Sequence, residues 1–239
     1  MAQSIKTPKK KWLSEFLPII LVFAVVILLS EFIYQYSHDS SRPNPVSFFY
    51  LALARNQLNK NEIDTTSIYL NKTAYFYIKE NNRLFKDKIP VEPINVSLEN
   101  VDDKTRLEIL DLLKESLPRV GNEKSVLHLS NVYYNIGLIL FFRNYHVKSQ
   151  DYFQTAILLN PELGFLHLEL ANGYLYDGYL EKAIDTLNFC LEFEAPRESC
   201  NSYLENNIKT RTFNPVGIYK EVISKNQGYT RNNSSNNAY

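Results

Sequence analysis

The chain has 239 residues and 26 Lys and Arg against 26 Asp and Glu, a formal net charge of zero that argues against a nucleic-acid binder with a basic face. Hydrophobic residues make up 45% and charged residues 22%, so global disorder is excluded. Seven glycines and two cysteines leave little room for a phosphate-cradling loop, a disulfide scaffold or a four-cysteine zinc site.

Residues 1–11 form a basic N-terminus with Lys6, Lys9, Lys10 and Lys11. Phe16 to Leu29 is an unbroken apolar run of 14 residues, short for a spanning helix. Its flanks lengthen it: Trp12 to Tyr34 is 23 residues, roughly 34 Å at about 1.5 Å per residue, with an aromatic at each end for the headgroups. Residues 12–36 are therefore expected to cross the bilayer as a single uncleaved signal anchor, since no A-x-A-like site follows Leu29. The lysines before it, and only Arg42 close after it, place the N-terminus in the cytoplasm and the rest of the chain outside. The expected location is a single-pass cell membrane protein with an extracytoplasmic C-terminal domain.

Residues 37–45 are polar with two prolines and read as a linker. Residues 46–82 carry two helical stretches broken at Asn59-Lys60-Asn61. Residues 83–102, with Pro90 and Pro93, read as a long connection or an extended arm. Residues 103–118 read as a packing helix, capped by Asp102 or Asp103, with Leu107, Leu110, Leu113 and Leu117 on one face. Residues 197–226 are expected to add capping helices, and the Asn- and Ser-rich 227–239 to be a disordered tail.

Residues 127–196 repeat themselves at a shift of 34. Tyr133 meets His167, Gly137 meets Ala171, Leu140 meets Tyr174, Asn144 meets Gly178, Ser149 meets Ala183, Phe153 meets Leu187 and Ala156 meets Cys190. Small residues at matched positions let paired helices approach, and large ones fill the gaps between them. Neither pair can bury its apolar face alone, so the units stack. With LNP at 159–161 closing the first unit, the segment resembles two tandem tetratricopeptide repeats. Residues 47–79 resemble a degenerate third, with Ala54, Asn61, Thr66 and Leu70 near the matching spacing. The predicted fold class is all-α: an N-terminal transmembrane helix followed by a helix-turn-helix repeat solenoid.

The resemblance implies a concave groove lined by the first helix of each unit. Its residues are Asn131, Tyr134, Asn135, Leu138, Phe141 and Phe142, then Phe165, Leu168, Glu169, Asn172, Leu175 and Tyr176. This aromatic, weakly charged surface suits an apolar or amphipathic segment of a protein or peptide partner. Neighbouring segments of the same chain, such as 104–117 or 215–226, are rival occupants. The clamp by which some family members hold a C-terminal carboxylate is not expected, because Tyr134 and Leu168 stand where basic residues would be needed.

No catalytic motif accompanies these features. His38, His128, His146 and His167 do not pair at metal-ligand spacing, and His167 sits at a packing position. The chain is expected to be no enzyme and to use no cofactor. Cys190 and Cys200 are compatible with a bridge in an oxidising compartment or with two buried thiols. Asn71, Asn95 and Asn233 match the glycosylation pattern by chance in so Asn-rich a chain. The resulting expectation is a membrane-anchored protein-interaction scaffold. It resembles anchored bacterial tetratricopeptide proteins that assist secretion, envelope assembly or cytochrome maturation. The alternative is a structural subunit of a membrane complex held mainly by its transmembrane helix.

Overall fold

The structure, a computed structural model, describes residues 45–120 and 125–209. The predicted anchor at 12–36, most of its linker, and the segments after Lys209 lie outside these residues. Among the described residues every regular element is helical, and no helix is long and apolar enough to cross a membrane.

In the described residues eight α-helices follow one another: α1 (Pro45–Asn59), α2 (Ile63–Leu84), α3 (Asp103–Ser116), α4 (Ser125–Phe142), α5 (His146–Leu159), α6 (Gly164–Tyr176), α7 (Leu180–Leu191) and α8 (Arg197–Tyr203). A 3₁₀ turn, Leu117–Arg119, ends α3, and a wider turn, Leu204–Lys209, continues α8.

Three corners join α1 to α2, α4 to α5 and α6 to α7, and they share one hydrogen-bond pattern. Glu62 N donates to Gln57 O at 3.0 Å, Tyr145 N to Leu140 O at 2.9 Å and Tyr179 N to Tyr174 O at 2.7 Å. Each closure requires one left-handed residue: Asn61 (φ 61°), Asn144 (φ 65°) and Gly178 (φ 82°). Asn and Gly are the residues that reach this conformation at least cost, which is why they recur at the corner.

Counted from these corners, buried positions match as well. Ala54, Gly137 and Ala171 lie seven residues before the corner residue. Thr66, Ser149 and Ala183 lie five after it, Leu70, Phe153 and Leu187 nine after it, and Thr73, Ala156 and Cys190 twelve after it. The small residues bring the helices of a pair close together. A Cβ added at Gly137 would meet the buried Phe153 ring at 2.6 Å. Ser130 Oγ donates to the Ala156 carbonyl at 2.8 Å across the same seam.

The pairs pack with α2 against α5 and α5 against α6. Asn81 Nδ2 at the end of α2 donates to Leu159 O at the end of α5 (2.8 Å), and Gln150 Nε2 of α5 donates to Asp177 Oδ2 (2.6 Å). The Asn71 side chain is half-buried, accepting from Tyr133 OH at 3.0 Å and donating to Val96 O at 2.8 Å. The connection from Phe85 to Asp102 is an extended arm. It buries Ile89, Val96, Leu98 and Val101, and its first residues reach the far end of the stack, where Phe85 meets Phe193 at 5.4 Å.

α3 is capped by Asp102, whose carboxylate accepts from Thr105 N at 3.0 Å and from Thr105 Oγ1 at 2.6 Å. It runs antiparallel to α4, with Arg143 bonded to Glu108 and Tyr145 bonded to Asp102 at one end. Arg106 reaches Asp64 of α2, and Arg55 of α1 donates to the carbonyls of Leu117 and Val120. Its buried face is Thr105, Ile109, Leu110 and Leu113. The face expected from sequence included Leu107, which is 60% exposed. The correction has a physical reason: contacts with both the first and second pairs turn the buried stripe toward Thr105 and Ile109.

Candidate functional site

Where α3 ends, its last turn, the first half of α4 and the start of α6 enclose an open cleft of about 360 Å³. Ser116 and Arg119 come from the α3 end, His128, Asn131, Val132, Tyr134 and Asn135 from α4, and Phe165 from α6. On α4, a helix that buries Leu129, Val132, Tyr133, Ile136 and Leu140 in the core leaves Asn131, Tyr134 and Asn135 turned to the cleft, with the buried Val132 also lining it.

Tyr134 organises the floor. Its ring stands edge-on to Phe165 with centroids 5.4 Å apart and leans on the buried Phe153 at 5.6 Å. Its hydroxyl donates to Glu169 Oε2 at 3.3 Å. Burial, followed by the Glu169 carboxylate, pushes the Tyr134 hydroxyl well above the usual tyrosine range. Tyr134 is therefore a neutral donor at physiological pH. Arg119 pairs with Glu115 at 3.3 Å on the open surface, a contact worth little to stability, so the guanidinium stays available to a ligand.

The twelve residues assigned to the groove from sequence divide into three groups. Asn131, Tyr134, Asn135 and Phe165 meet in the cleft. Phe142 (55% exposed) and Tyr176 lie exposed at the other end of α4 and α6, and Leu138, Leu168 and Leu175 are half-buried between. Phe141, Glu169 and Asn172 are buried, which corrects their assignment to an open surface. Phe141 is only 2% exposed and packs edge-on against His146 at 5.0 Å. Glu169 is held under Tyr134. Asn172 donates to Leu168 O at 2.7 Å and accepts from Tyr203 OH of α8 at 2.6 Å. α8 thus lies where a partner was expected on α6.

A disulfide joins Cys190 of α7 to Cys200 of α8, both fully buried. It fastens the helix that covers α6. His167 is buried with Nε2 at 2.8 Å from the Pro161 carbonyl. Burial pulls its pKa below the usual histidine value, which keeps the ring neutral and makes Nε2 the donor.

Ser116, Arg119, His128 and Val132 were not read as site residues. Arg119 and Ser116 sit in the break after a helix, where no periodicity points, and only the antiparallel placement of α3 brings them to α4. Among the described residues no group of three or more His, Cys, Asp or Glu could hold a metal ion. The arrangement offers an aromatic floor, two amide side chains, exposed Asn131 and half-buried Asn135, and a cation, which is chemistry for recognition. Set against known proteins, the chain matches no family model, no curated protein and no solved structure.

Proposed function

We propose that this chain is a membrane-anchored adaptor of the tetratricopeptide type, holding a protein partner close to the bilayer on the extracytoplasmic side. The observation that carries the reading is the cleft of about 360 Å³ between α3, α4 and α6, where Tyr134 and Phe165 stand beside Asn131, Asn135 and Arg119. A peptide lying there can stack on the rings, bond its backbone to the amides and place a carboxylate at Arg119. The three like corners and their matched buried positions support the repeat reading. The basic flank and the apolar run from Phe16 to Leu29 support the anchor.

The test is capture of the partner by the full chain in membranes, with Asn131→Ala and Phe165→Ala combined. Both side chains are exposed, so melting should be unchanged while capture falls about tenfold or more, the effect of about 1.4 kcal/mol. Unchanged capture would remove the cleft from the reading. The apolar run also favours a second reading, a subunit held in a membrane complex by its anchor. Exchanging residues 12–36 for an unrelated spanning helix separates the two: an adaptor keeps its partner and an anchor-held subunit loses it.

A further inference from the structure

The outer face of α1 and α2 carries a second surface that the cleft does not use. Tyr50 stacks on Phe76 at 5.7 Å with planes 9° apart and on Tyr69 at 6.3 Å. Phe49, 57% exposed, meets Tyr50 edge-on at 5.5 Å. Along α2, Ile68, Lys72, Tyr75 and Lys79 follow at four-, three- and four-residue steps and so share one stripe, with Ile68 54% exposed. The Lys72 ammonium lies 5.2 Å from the Tyr50 ring centre and 5.8 Å from that of Tyr69. Among the described residues no carboxylate pairs with Lys72 or Lys79. α1 has no acidic residue, and of the two on α2, Asp64 at its start is engaged by Arg106 at 2.8 Å and Glu80 lies one turn beyond Phe76.

We propose that this face docks on an anionic lipid surface. Amphipathic rings beside exposed lysines are the combination that settles at the headgroup level: the rings enter the boundary and the ammonium groups meet lipid phosphates. Two features favour a bilayer over a protein occupant. The face is net basic, with Lys72 and Lys79 against Glu80, which complements anionic headgroups. It also begins at α1, directly after the linker: Tyr36 and Pro45 can stand at most about 32 Å apart in extended chain. An inserted anchor would keep the face within that reach of the membrane. In that respect the inference rests on the anchor reading of Proposed function. Held this way, the domain has one preferred orientation on the membrane instead of swinging on its linker.

The test uses the full chain in vesicles of equal parts phosphatidylcholine and phosphatidylglycerol, with spin-labelled lipids as quenchers. The chain has one tryptophan, Trp12, which reports the anchor in the unaltered protein. A Trp12→Phe, Phe49→Trp variant reports the face. Phe49 is exposed, so its melting should match that of the unaltered protein. Docking predicts that the Phe49→Trp emission shifts to the blue and is quenched by shallow-labelled lipids. Adding Lys72→Glu and Lys79→Glu, or omitting phosphatidylglycerol, should reverse both effects. Quenching of Trp12 without quenching of the Phe49→Trp reporter overturns the inference and leaves the anchor standing. Absence of both overturns both. Quenching of the reporter alone supports the lipid face and sinks the anchor. Reporter quenching that ignores charge reversal and lipid charge contradicts an anionic surface.

Discussion

On α4, Asn131, Tyr134, Asn135 and Leu138 occupy the positions that Phe165, Leu168, Glu169 and Asn172 occupy on α6, each 34 residues later. Of the α4 set, Asn131, Tyr134 and Asn135 line an open cleft with α3 and α6 around it. The α6 set is progressively covered: Phe165 lines the cleft, Glu169 is closed over by Tyr134, and Asn172 is sealed by Tyr203 of α8. The register is the same and the exposure is different, because exposure is decided by the next helix along the stack. α4 is followed on this side by a helix that leaves a gap beside the α3 end, whereas α6 is followed by one that is covalently pinned over it. A partner-binding surface in such a stack is thus set by what the neighbours leave uncovered.

The comparison can be broken at its sharpest point, the adjacent pair Phe141 and Phe142. Phe141→Ala should open a cavity and cost about 3–5 kcal/mol, whereas Phe142→Ala should cost about 0.5 kcal/mol or less. Equal costs in denaturant melts of the two variants would mean that the face assigned to α4 is rotated. Next in size is the pin itself. Replacing both cysteines (Cys190→Ser, Cys200→Ser) should cost about 2–4 kcal/mol, mainly through the freer unfolded chain. Hydrogen exchange should then rise in α6 and α8 more than in α4; a uniform rise would separate the bridge from the covering of α6.

A smaller change sharpens the same contrast. Tyr203→Phe removes the hydroxyl that donates to the buried Asn172 amide oxygen, at a cost of about 1–3 kcal/mol. Asn135→Ala on the α4 side should leave melting nearly unchanged. The smallest effect concerns α3, which frames the open end. Hydrogen bonds from the Thr105 side chain and backbone, with a further one from Tyr145, hold the Asp102 carboxyl down to about 2. A depressed carboxyl stabilises the fold above its unfolded pKa and loses that contribution as pH falls through its folded pKa. The melting gap between the unaltered chain and Asp102→Ala should be full at neutral pH and close between about pH 4 and pH 2. A gap independent of pH would show that the carboxylate is not the cap's source of stability.

Much of this was legible in the residues. The 3.6-residue periodicity gives the helical content, and the small residues at Gly137, Ala156 and Ala171 read as close approaches because only they leave room for a Phe or Leu opposite. Asn144 and Gly178 mark their corners for a reason local to the backbone. What sequence could not give was long-range placement. Nothing near Ser116 or Arg119 announces that α3 folds back antiparallel to α4, so half the cleft went unread. Phe141, Glu169 and Asn172 have the spacing of an open face, and only the positions of His146, Tyr134 and Tyr203 reveal that they are covered. Leu107 failed in the same way: its periodicity fits a buried stripe, but two packing neighbours chose a different one.

The central claim, that a partner meets the chain in the cleft and not over the covered end, is tested most directly by photo-crosslinking. A photoreactive side chain would replace Phe165 in one preparation and Asn206, exposed on the turn after α8, in another, each in the full chain in membranes. The account predicts a covalent adduct with a second polypeptide from position 165 and none from position 206. An adduct from 206 with none from 165 would contradict it.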